Sequence, residues 1–246
     1  MKSSSANPVG AGEIWSIDVD APLQSVLDNP KCPPLLSQTL TGVLSWQTRN
    51  ETLVQRALTS PRVAPQWVAA LLALGATVTV EGKTGPTEVP LETVLQRKTE
   101  GKVSVLHIPP LFSPPKGADR RRSGDEGGGM RWGEAHVART PADEPIVAAV
   151  AVVEVDGTSG GDSVVRQARV ALTGVWPEPV RLAEAPTQLA GGPLDENGIR
   201  AVAEAVEEEV EPKGDFRGSE EYRRAMAGVL TCRALEACRR QEAGDE

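Results

Sequence analysis

The stretch DFRGSEEYRRAMAGVLTCRALEAC, residues 215–238, sets the fold expected for the C-terminal half of the chain. Ser219 has a side chain suited to capping a helix, and Glu220 and Glu221 follow in the first turn, where the helix dipole favours carboxylates. The apolar residues behind this cap recur at helical spacing: Tyr222, Ala225, Met226, Val229, Leu230 and Ala237. The stretch therefore predicts a helix that begins after Ser219 and buries this stripe.

Arg233 falls inside the predicted stripe, in line with Tyr222 and Val229 when each residue turns the helix by ~100°. A buried guanidinium group survives only when it is paired and hydrogen-bonded. We therefore expect Arg233 to bind a carboxylate or helix-end carbonyls, in a structural rather than a catalytic role, and its loss to destabilise this half. Asp215 and Arg217, just before the cap, are expected to brace the turn.

The segments upstream of this helix predict a sheet and a second helix. PIVAAVAVVEV and VVRQARVALTGV are apolar runs of strand length around the turn residues TSGGD, which indicates a β-hairpin. Residues 199–210 then place apolar side chains on one helical face and glutamates largely outside it. The acidic run is thus explained as a helix exterior.

The N-terminal half predicts a small α+β unit. PLQSVLDNPKCPPLLSQTLTGVL indicates two short helices around a proline-rich turn, and VAPQWVAALLALGA indicates a helix closed by Gly75. The strand signals follow in ATVTVEG, TEVPLETVL and KVSVLHIPP. The stretch SPPKGADRRRSGDEGGG, residues 113–129, has no hydrophobic pattern and is interpreted as a flexible linker between modules at 1–112 and 130–246.

Composition excludes several function classes. The 246 residues carry 34 acids against 26 bases, a net charge of −8, which argues against nucleic-acid binding. No apolar stretch reaches the ~20 residues of a membrane span, and the first residues lack the apolar core of a signal peptide, so a cytoplasmic protein is expected. Three cysteines are too few for an iron–sulfur cluster, and neither histidine has metal-site spacing. The residues alone therefore predict no catalytic or metal site.

The order of segments in the C-terminal half resembles a known domain. RTPADEPIVAAVAVVEV, RVALTGVWPEPVRLAEAPTQLAG and DFRGSEEYRRAMAGVLTCRAL together resemble the C-terminal domain of carbon monoxide dehydrogenase flavoproteins, found in the medium subunit of molybdenum hydroxylases of the xanthine dehydrogenase class. The likeness runs from about Met130 to Cys238. It implies an antiparallel sheet with helices on one side, and a structural signature formed by Asp215, Arg217, Ser219, Tyr222, Arg223 and Arg233.

The N-terminal half resembles part of the FAD-binding domain of the same subunit, a PCMH-like fold. LLSQTLTGVLSWQTRNETLVQRAL is similar to the family segment that ends in a Gly-Gly turn, whose backbone approaches the FAD pyrophosphate because glycine has no Cβ. Residues 52–56 stand in that place here and contain no glycine. The resemblance leaves six candidate cofactor-binding residues: Arg49, Asn50, Thr52 and Arg56, with Arg139 and Asp143 where the C-terminal module approaches the flavin.

The family pattern also departs from this sequence in two further places. The aspartate that precedes the Leu-Leu-Ala-Leu helix is not found at Gln66 or Trp67, and the phosphate loop of the first flavin subdomain is absent from the sequence. FAD is thus the cofactor that the resemblance implies, and the lost glycines argue against its binding by this chain.

Three hypotheses about function follow from the resemblance. The first is a flavin-type medium subunit that carries electrons from iron–sulfur centres to an acceptor, alongside iron–sulfur and molybdenum-cofactor subunits. The second is a docking or assembly subunit that has kept its contacts with those subunits and lost the flavin. The third is a truncated reading frame. Whether the protein is part of an enzyme therefore depends on whether the flavin is retained.

Overall fold

The computed structural model describes residues 14–83, 85–96, 101–110, 129–140, 143–156 and 164–241. It confirms an α+β fold with two four-stranded sheets, whose paired strands all run antiparallel. Among the described residues, no helix has the length and apolar character that crossing a membrane requires.

The first sheet belongs to the N-terminal half and has the strand order β1-β4-β2-β3. Its strands are β1 (Trp15–Asp18), β2 (Thr77–Gly82), β3 (Gly85–Pro90) and β4 (Lys102–Ile108). The helices of this half are α1 (Leu23–Leu27), α2 (Pro34–Thr41), α3 (Trp46–Glu51), α4 (Val54–Thr59), α5 (Pro65–Leu74) and α6 (Leu91–Leu95), with a 3₁₀ turn at Pro61–Val63.

Local sequence signals explain most of these boundaries. Gly75 ends α5 in the left-handed conformation at φ 74°, which confirms the predicted closure. The two short helices around the proline turn are confirmed as α1 and α2. The strand expected over TEVPLETVL is right only for its first part, because Pro90 has no N–H to continue the ladder and the Leu-Glu-rich residues after it form α6.

The second sheet has the order β5-β6-β7-β8. Its elements are β5 (Gly129–Val137), β6 (Val147–Asp156), β7 (Val164–Thr173) and β8 (Val180–Leu182), followed by a 3₁₀ helix (Ala185–Leu189), α7 (Glu196–Glu209) and α8 (Glu220–Arg240). The predicted hairpin is confirmed as β6 and β7. The predicted linker lies outside the described residues up to position 128, and its last residue, Gly129, already belongs to β5.

Both faces of the second sheet are covered. One side of β6 packs in a core with α7 and α8 through Ala149, Ala151 and Val153. The other side, through Val150 and Val152, joins the core that holds α5 of the N-terminal half. Successive strand residues face opposite sides, so a strand buried on both faces is apolar throughout, as PIVAAVAVVEV is. Helices of the C-terminal half lie on one side, as expected, and the two halves share a core through α5.

Helix α8 begins after Ser219 as predicted, since the Ser219 hydroxyl accepts a hydrogen bond from the Tyr222 amide at 3.2 Å. The face that it buries was predicted wrongly. Tyr222 and Val229 are 38% and 39% exposed, and Arg233 is exposed. Of the predicted stripe only Leu230 is fully buried, and the buried face also carries Arg223, Ala227, Gly228, Thr231, Ala234, Leu235 and Cys238. The helix is apolar on two sides, so periodicity alone could not select the one that meets the sheet.

Close approach of α8 to β5 explains that selection. A Cβ added at Gly133 would lie 2.0 Å from the carbonyl oxygen of Ala234 and 2.8 Å from the Ala237 Cβ. Backbone therefore meets backbone at this crossing, which only glycine on the strand and small residues on the helix permit.

Replacing Gly133 by alanine should therefore destabilise the protein by about 1–3 kcal/mol, because the strand must move away from α8. Gly192→Ala is the matched control, since a Cβ there would find its nearest neighbour at an ordinary 3.7 Å. Thermal unfolding followed by circular dichroism measures both. Equal melting temperatures for the two variants would contradict the close crossing.

Candidate functional site

The candidate structural signature is organised around Arg223, which is 4% exposed. Its Nη1 donates to the carbonyl oxygens of Ile146 at 2.7 Å and Gly174 at 2.9 Å, and its Nη2 donates to Asp215 Oδ1 at 2.7 Å. One side chain therefore joins the start of β6, the end of β7 and the turn before α8. Gly174 has φ 76°, and a Cβ there would lie 2.2 Å from the Ile146 oxygen, so glycine is required for this convergence.

The turn that Arg223 holds is a small antiparallel bridge between Asp215 and Gly218. Asp215 Oδ1 also accepts from the amides of Arg217 and Gly218, at 2.9 and 3.1 Å. The hydrogen bond from Arg223, with these amide donors, lowers the pKa of Asp215 to about 2. The carboxylate is therefore charged throughout the physiological range, and the turn stays fixed.

Two neighbouring arginines extend the same framework. Arg217 Nη1 binds Glu144 Oε2 at 3.1 Å, which ties the turn to the segment before β6. Arg224 Nη1 donates to the carbonyl oxygens of Glu207 at 3.1 Å and Val210 at 2.8 Å, at the C-terminal end of α7. Cations at that end of a helix satisfy free carbonyls and complement the dipole. The arginines of the opening stretch are thus mostly structural, although Arg233 is not one of them.

Replacing Arg223 by alanine should cost about 3–5 kcal/mol of folding free energy, because it leaves Asp215 and two carbonyl groups without their buried partner. Arg233→Ala, on the exposed face of the same helix, should change stability by less than about 0.5 kcal/mol. Chemical denaturation of both variants measures the difference. A stable Arg223→Ala protein would show that the three segments are held by other contacts.

The candidate flavin segment forms α3 and α4 instead of an open glycine turn. Arg49 Nε donates to Gln24 Oε1 at 2.9 Å, and its Nη1 donates to the Leu44 carbonyl oxygen. Asn50 Nδ2 donates to the Trp46 carbonyl at 2.8 Å. Thr52 is buried, and its amide donates to the Thr48 carbonyl at 3.0 Å. The three residues retained from the family pattern therefore bind groups of their own chain.

The backbone of this segment is also occupied. The amides of Val54 and Gln55 donate to the carbonyl oxygens of Ala21 at 2.9 Å and Val19 at 2.7 Å. The Val54 side chain is fully buried, where the family places a glycine that lets the backbone approach phosphate. Arg56 is exposed and forms no ion pair with any residue of the described ranges. One exposed guanidinium is a poor substitute for a cradle of amides, so this segment does not fit the FAD pyrophosphate.

Arg139 and Asp143 belong to a different part of the hydrogen-bond network from the candidate flavin segment. Both are exposed in the connection between β5 and β6, where the Asp143 amide donates to the Thr140 carbonyl at 3.1 Å. Within the part of the chain that the structure describes, no hydrogen bond or ion pair links either residue to residues 49–56. The two groups of candidate cofactor residues are therefore not joined by a direct polar contact among the described residues.

A polar cluster that sequence reasoning missed lies between the two halves. The Glu134 carboxylate on β5 accepts from Gln66 Nε2 of α5 at 3.0 Å and from Gln38 Nε2 of α2 at 3.3 Å. Its side chain is only 7% exposed, and His136 Nδ1 lies 3.0 Å from it on the same strand. Gln66 stands where the family aspartate was sought, and an amide there can donate to Glu134 whereas a carboxylate would repel it. Alternating polarity in GEAHV was the available signal.

A second contact between the halves involves the C-terminal end of α5. Arg169 of β7 points its guanidinium at this end, with Nη1 3.5 Å from the Ala73 carbonyl oxygen. A Cβ at Gly75 would lie 2.9 Å from the same nitrogen, so the glycine that closes α5 also makes room for the arginine. An arginine next to the apolar half of β7 was therefore a signal of contact with another element.

The hydrogen bond with Glu134 raises the pKa of His136 above the ordinary value for histidine. A histidine whose folded pKa is raised contributes stability that is fully present below the unfolded pKa and is lost as the pH rises through the folded value. His136→Gln should therefore lower the melting temperature more at about pH 5.5 than at about pH 8.5.

The same contact can be titrated directly, because the protein has only two histidines. In the NMR spectrum, Glu134→Gln should move the pKa of His136 down toward the ordinary value for histidine. An unchanged His136 titration would contradict the hydrogen bond. Among the described residues, no group of three or more His, Cys, Asp or Glu side chains is arranged to hold a metal ion.

Comparisons with known proteins agree with this framework. Residues 135–238 match the family described as the CO dehydrogenase flavoprotein C-terminal domain. The carbon monoxide dehydrogenase medium chain of Hydrogenophaga pseudoflava is 26% identical over 209 residues, which cover 83% of this chain and 66% of that protein. The glyceraldehyde dehydrogenase medium chain of Sulfolobus acidocaldarius is 22% identical over 211 residues, covering 82% of this chain and 67% of that protein.

Solved structures show the same fold over nearly the whole chain. A chain of carbon monoxide dehydrogenase from Hydrogenophaga pseudoflava superposes with a TM-score of 0.73 and 24% identity, covering 96% of this chain and 77% of that one. A chain of quinoline 2-oxidoreductase from Pseudomonas putida 86 gives a TM-score of 0.73 and 24% identity, covering 98% and 78%. The chain therefore has the fold of these oxidoreductase chains, and its residues 135–238 match the family of CO dehydrogenase flavoprotein C-terminal domains.

Proposed function

We propose that this chain is a medium-subunit component of a molybdenum hydroxylase of the carbon monoxide dehydrogenase type, and that it serves as a docking subunit for iron–sulfur and molybdenum-cofactor subunits. The match of residues 135–238 to the flavoprotein C-terminal domain family supports the assignment to this class of subunit. The occupied amides of Val54 and Gln55 carry the further step, since both backbone donors at the position of the Gly-Gly turn are unavailable to a pyrophosphate.

The framework around Arg223 suits a docking role. It fixes β6, β7 and α8 to one another through a buried guanidinium and a charged Asp215. A pre-organised surface loses little conformational freedom on association, which favours binding without any reacting group. The boundaries that we propose for the docking module are residues 130–246, preceded by the flavin-type module at 1–112.

A second candidate is the electron-transfer subunit that retains FAD. The observation in its favour is that the likeness to the carbon monoxide dehydrogenase chain covers 96% of this protein, including the N-terminal half. In that case the flavin performs the redox step, and the protein supplies binding and orientation. Arg56, exposed and without an ion pair among the described residues, is the side chain that remains available to a phosphate.

Visible absorption of the purified chain separates these two functions. We expect a colourless protein, both alone and after co-expression with iron–sulfur and molybdenum subunits, that co-purifies with those subunits. Stoichiometric FAD released on denaturation would support the second candidate instead. A protein that binds neither flavin nor those subunits would contradict both.

Restoring glycines at positions 54 and 55 gives an independent test of the segment. The variant Val54→Gly/Gln55→Gly should remain colourless, because the loop is still closed onto Val19 and Ala21, and it should unfold at lower temperature because a buried side chain is lost. Gln55→Gly alone is the control for glycine flexibility. A gain of bound FAD in the double variant would show that the turn still faces a flavin.

A further inference from the structure

Four polar side chains form one connected group where the two halves of the chain meet. We name this group the seam, and it consists of Gln38 of α2, Gln66 of α5, and Glu134 and His136 of β5. The Glu134 carboxylate lies at its centre, where it accepts hydrogen bonds from Gln66 Nε2 at 3.0 Å and Gln38 Nε2 at 3.3 Å. His136 Nδ1 lies 3.0 Å from the same carboxylate. One acid of the C-terminal half therefore contacts two helices of the N-terminal half.

The members of the seam differ in their access to water. The Glu134 side chain is 7% exposed and Gln66 is 2% exposed, whereas the His136 side chain is 44% exposed. Gln66 Oε1 has no hydrogen-bond partner among the described residues, so the buried amide of this residue makes its bond to Glu134 alone. The imidazole can thus exchange protons with solvent, and the carboxylate beside it is held where charges interact more strongly than in water.

Few charged groups face Glu134 from the elements around it. Helices α2 and α5 contain no charged residue, so they offer the carboxylate amides but no cation. On the adjacent strand β6, the acid of the same face is Glu154, which lies toward the far end of the strand, 3.8 Å from Arg169. Arg131 of β5 acts on the thiol of Cys238 in α8, on the other side of the sheet. Both arginines are therefore engaged away from the seam.

His136 is the member of the seam that can carry a positive charge. The Glu134 carboxylate acts on it, since the hydrogen bond between the two side chains raises the pKa of the imidazole, while partial burial opposes the rise. The charged residues of the connection after β5, namely Arg139, Asp143 and Glu144, are exposed to solvent. The protonation of His136 is therefore coupled to Glu134.

The charge on His136 decides how costly it is to keep Glu134 under α2 and α5. A protonated imidazole compensates the carboxylate, whereas a neutral one leaves a largely buried negative charge with uncharged donors only. Such a charge is less favourable in the protein than in water unless an opposite charge accompanies it. Opening of the seam, which returns the carboxylate to water, is therefore easier when His136 is neutral.

The other end of α5 does not share this response. There, Arg169 Nη1 lies 3.5 Å from the Ala73 carbonyl oxygen, and an arginine keeps its charge at any pH at which proteins are folded. A change of pH near neutrality therefore acts on the end of α5 that carries Gln66.

We propose that the seam is a pH-sensitive contact between the two halves of the chain, closed most firmly while His136 is protonated. As the pH rises and the imidazole becomes neutral, the end of α5 that carries Gln66 separates from β5 more readily. Histidine is the side chain that titrates closest to neutral pH, so the response falls in the physiological range. The seam belongs to this chain alone and does not rest on the proposed docking function.

Solvent exchange of the side-chain amide protons of Gln66, followed by NMR on the full-length protein, measures the opening. Gln66 is buried, so these protons exchange only when the seam opens. Comparing the wild-type protein with His136→Gln at one pH cancels the intrinsic exchange rate. We expect exchange in the variant to be about two- to fivefold faster at about pH 5.5, as for a partly exposed ion pair, and the ratio to approach one at about pH 8.5.

Two further variants isolate the pair of charges. His107→Gln is the matched control, because the other histidine lies within hydrogen-bond distance of two hydroxyl groups of the first sheet, and exchange at Gln66 should stay as in the wild type. In a Glu134→Gln background, His136→Gln should have the same effect at both pH values, since the charge that the imidazole compensates is gone. Thermal unfolding verifies that each variant is folded.

A ratio of exchange rates that is the same at both pH values would overturn the proposal. So would a pH-dependent effect of His136→Gln that survives Glu134→Gln, because the imidazole would then act through another group. Gln66 amide protons as strongly protected as the most protected backbone amides of β2 would overturn it too, since the halves would then separate only when the whole protein unfolds.

Discussion

The contact on which the C-terminal half depends is the buried guanidinium of Arg223, with its bonds to Ile146, Gly174 and Asp215. A charge at this depth is tolerable only because its two terminal nitrogens meet two carbonyls and a carboxylate. Each partner has its own requirement: Gly174 must adopt φ 76°, and Asp215 must stay ionised, as its pKa of about 2 ensures. The motif around Asp215 and Arg223 thus describes one polar network that positions a helix on a sheet.

Much of the fold was predictable because it depends on interactions between residues that are close in the sequence. Ser219 caps α8, Gly75 ends α5, and the apolar runs of β6 and β7 have the length and composition of strands, with β6 buried on both faces. The sequence did not reveal β5, whose mixed residues GMRWGEAHV show little β-branched character and follow a glycine run. That strand is defined by tertiary contacts: Gly133 against α8, and Glu134 against the glutamines of the other half.

The buried face of α8 was predicted wrongly for a physical reason. Periodicity reports where apolar residues recur, and they recur on two sides of this helix. The sheet takes the stripe with small residues, because Gly133 brings the backbones together there, and the other stripe is left with Tyr222, Val229 and Arg233. Arg223 and Arg233 are ten positions apart, so their side chains leave the helix axis in directions about 80° apart. Spacing therefore places the two arginines on different sides of the helix but does not tell which side faces the sheet.

The candidate flavin site could be recognised from the sequence, but the sequence did not show whether its donors are free to bind a phosphate. The residues Arg49, Asn50 and Thr52 survive from the family pattern, yet each now binds its own chain, and the amides of Val54 and Gln55 close onto Ala21 and Val19. A phosphate site needs donors that point outward and remain unpaired in the folded protein. Here two of the backbone donors are bound to the segment before α1, and the side chains of Arg49 and Asn50 are bound to their own chain. The residue types of the family pattern are therefore present in this segment, whereas the free backbone donors that a phosphate site needs are not.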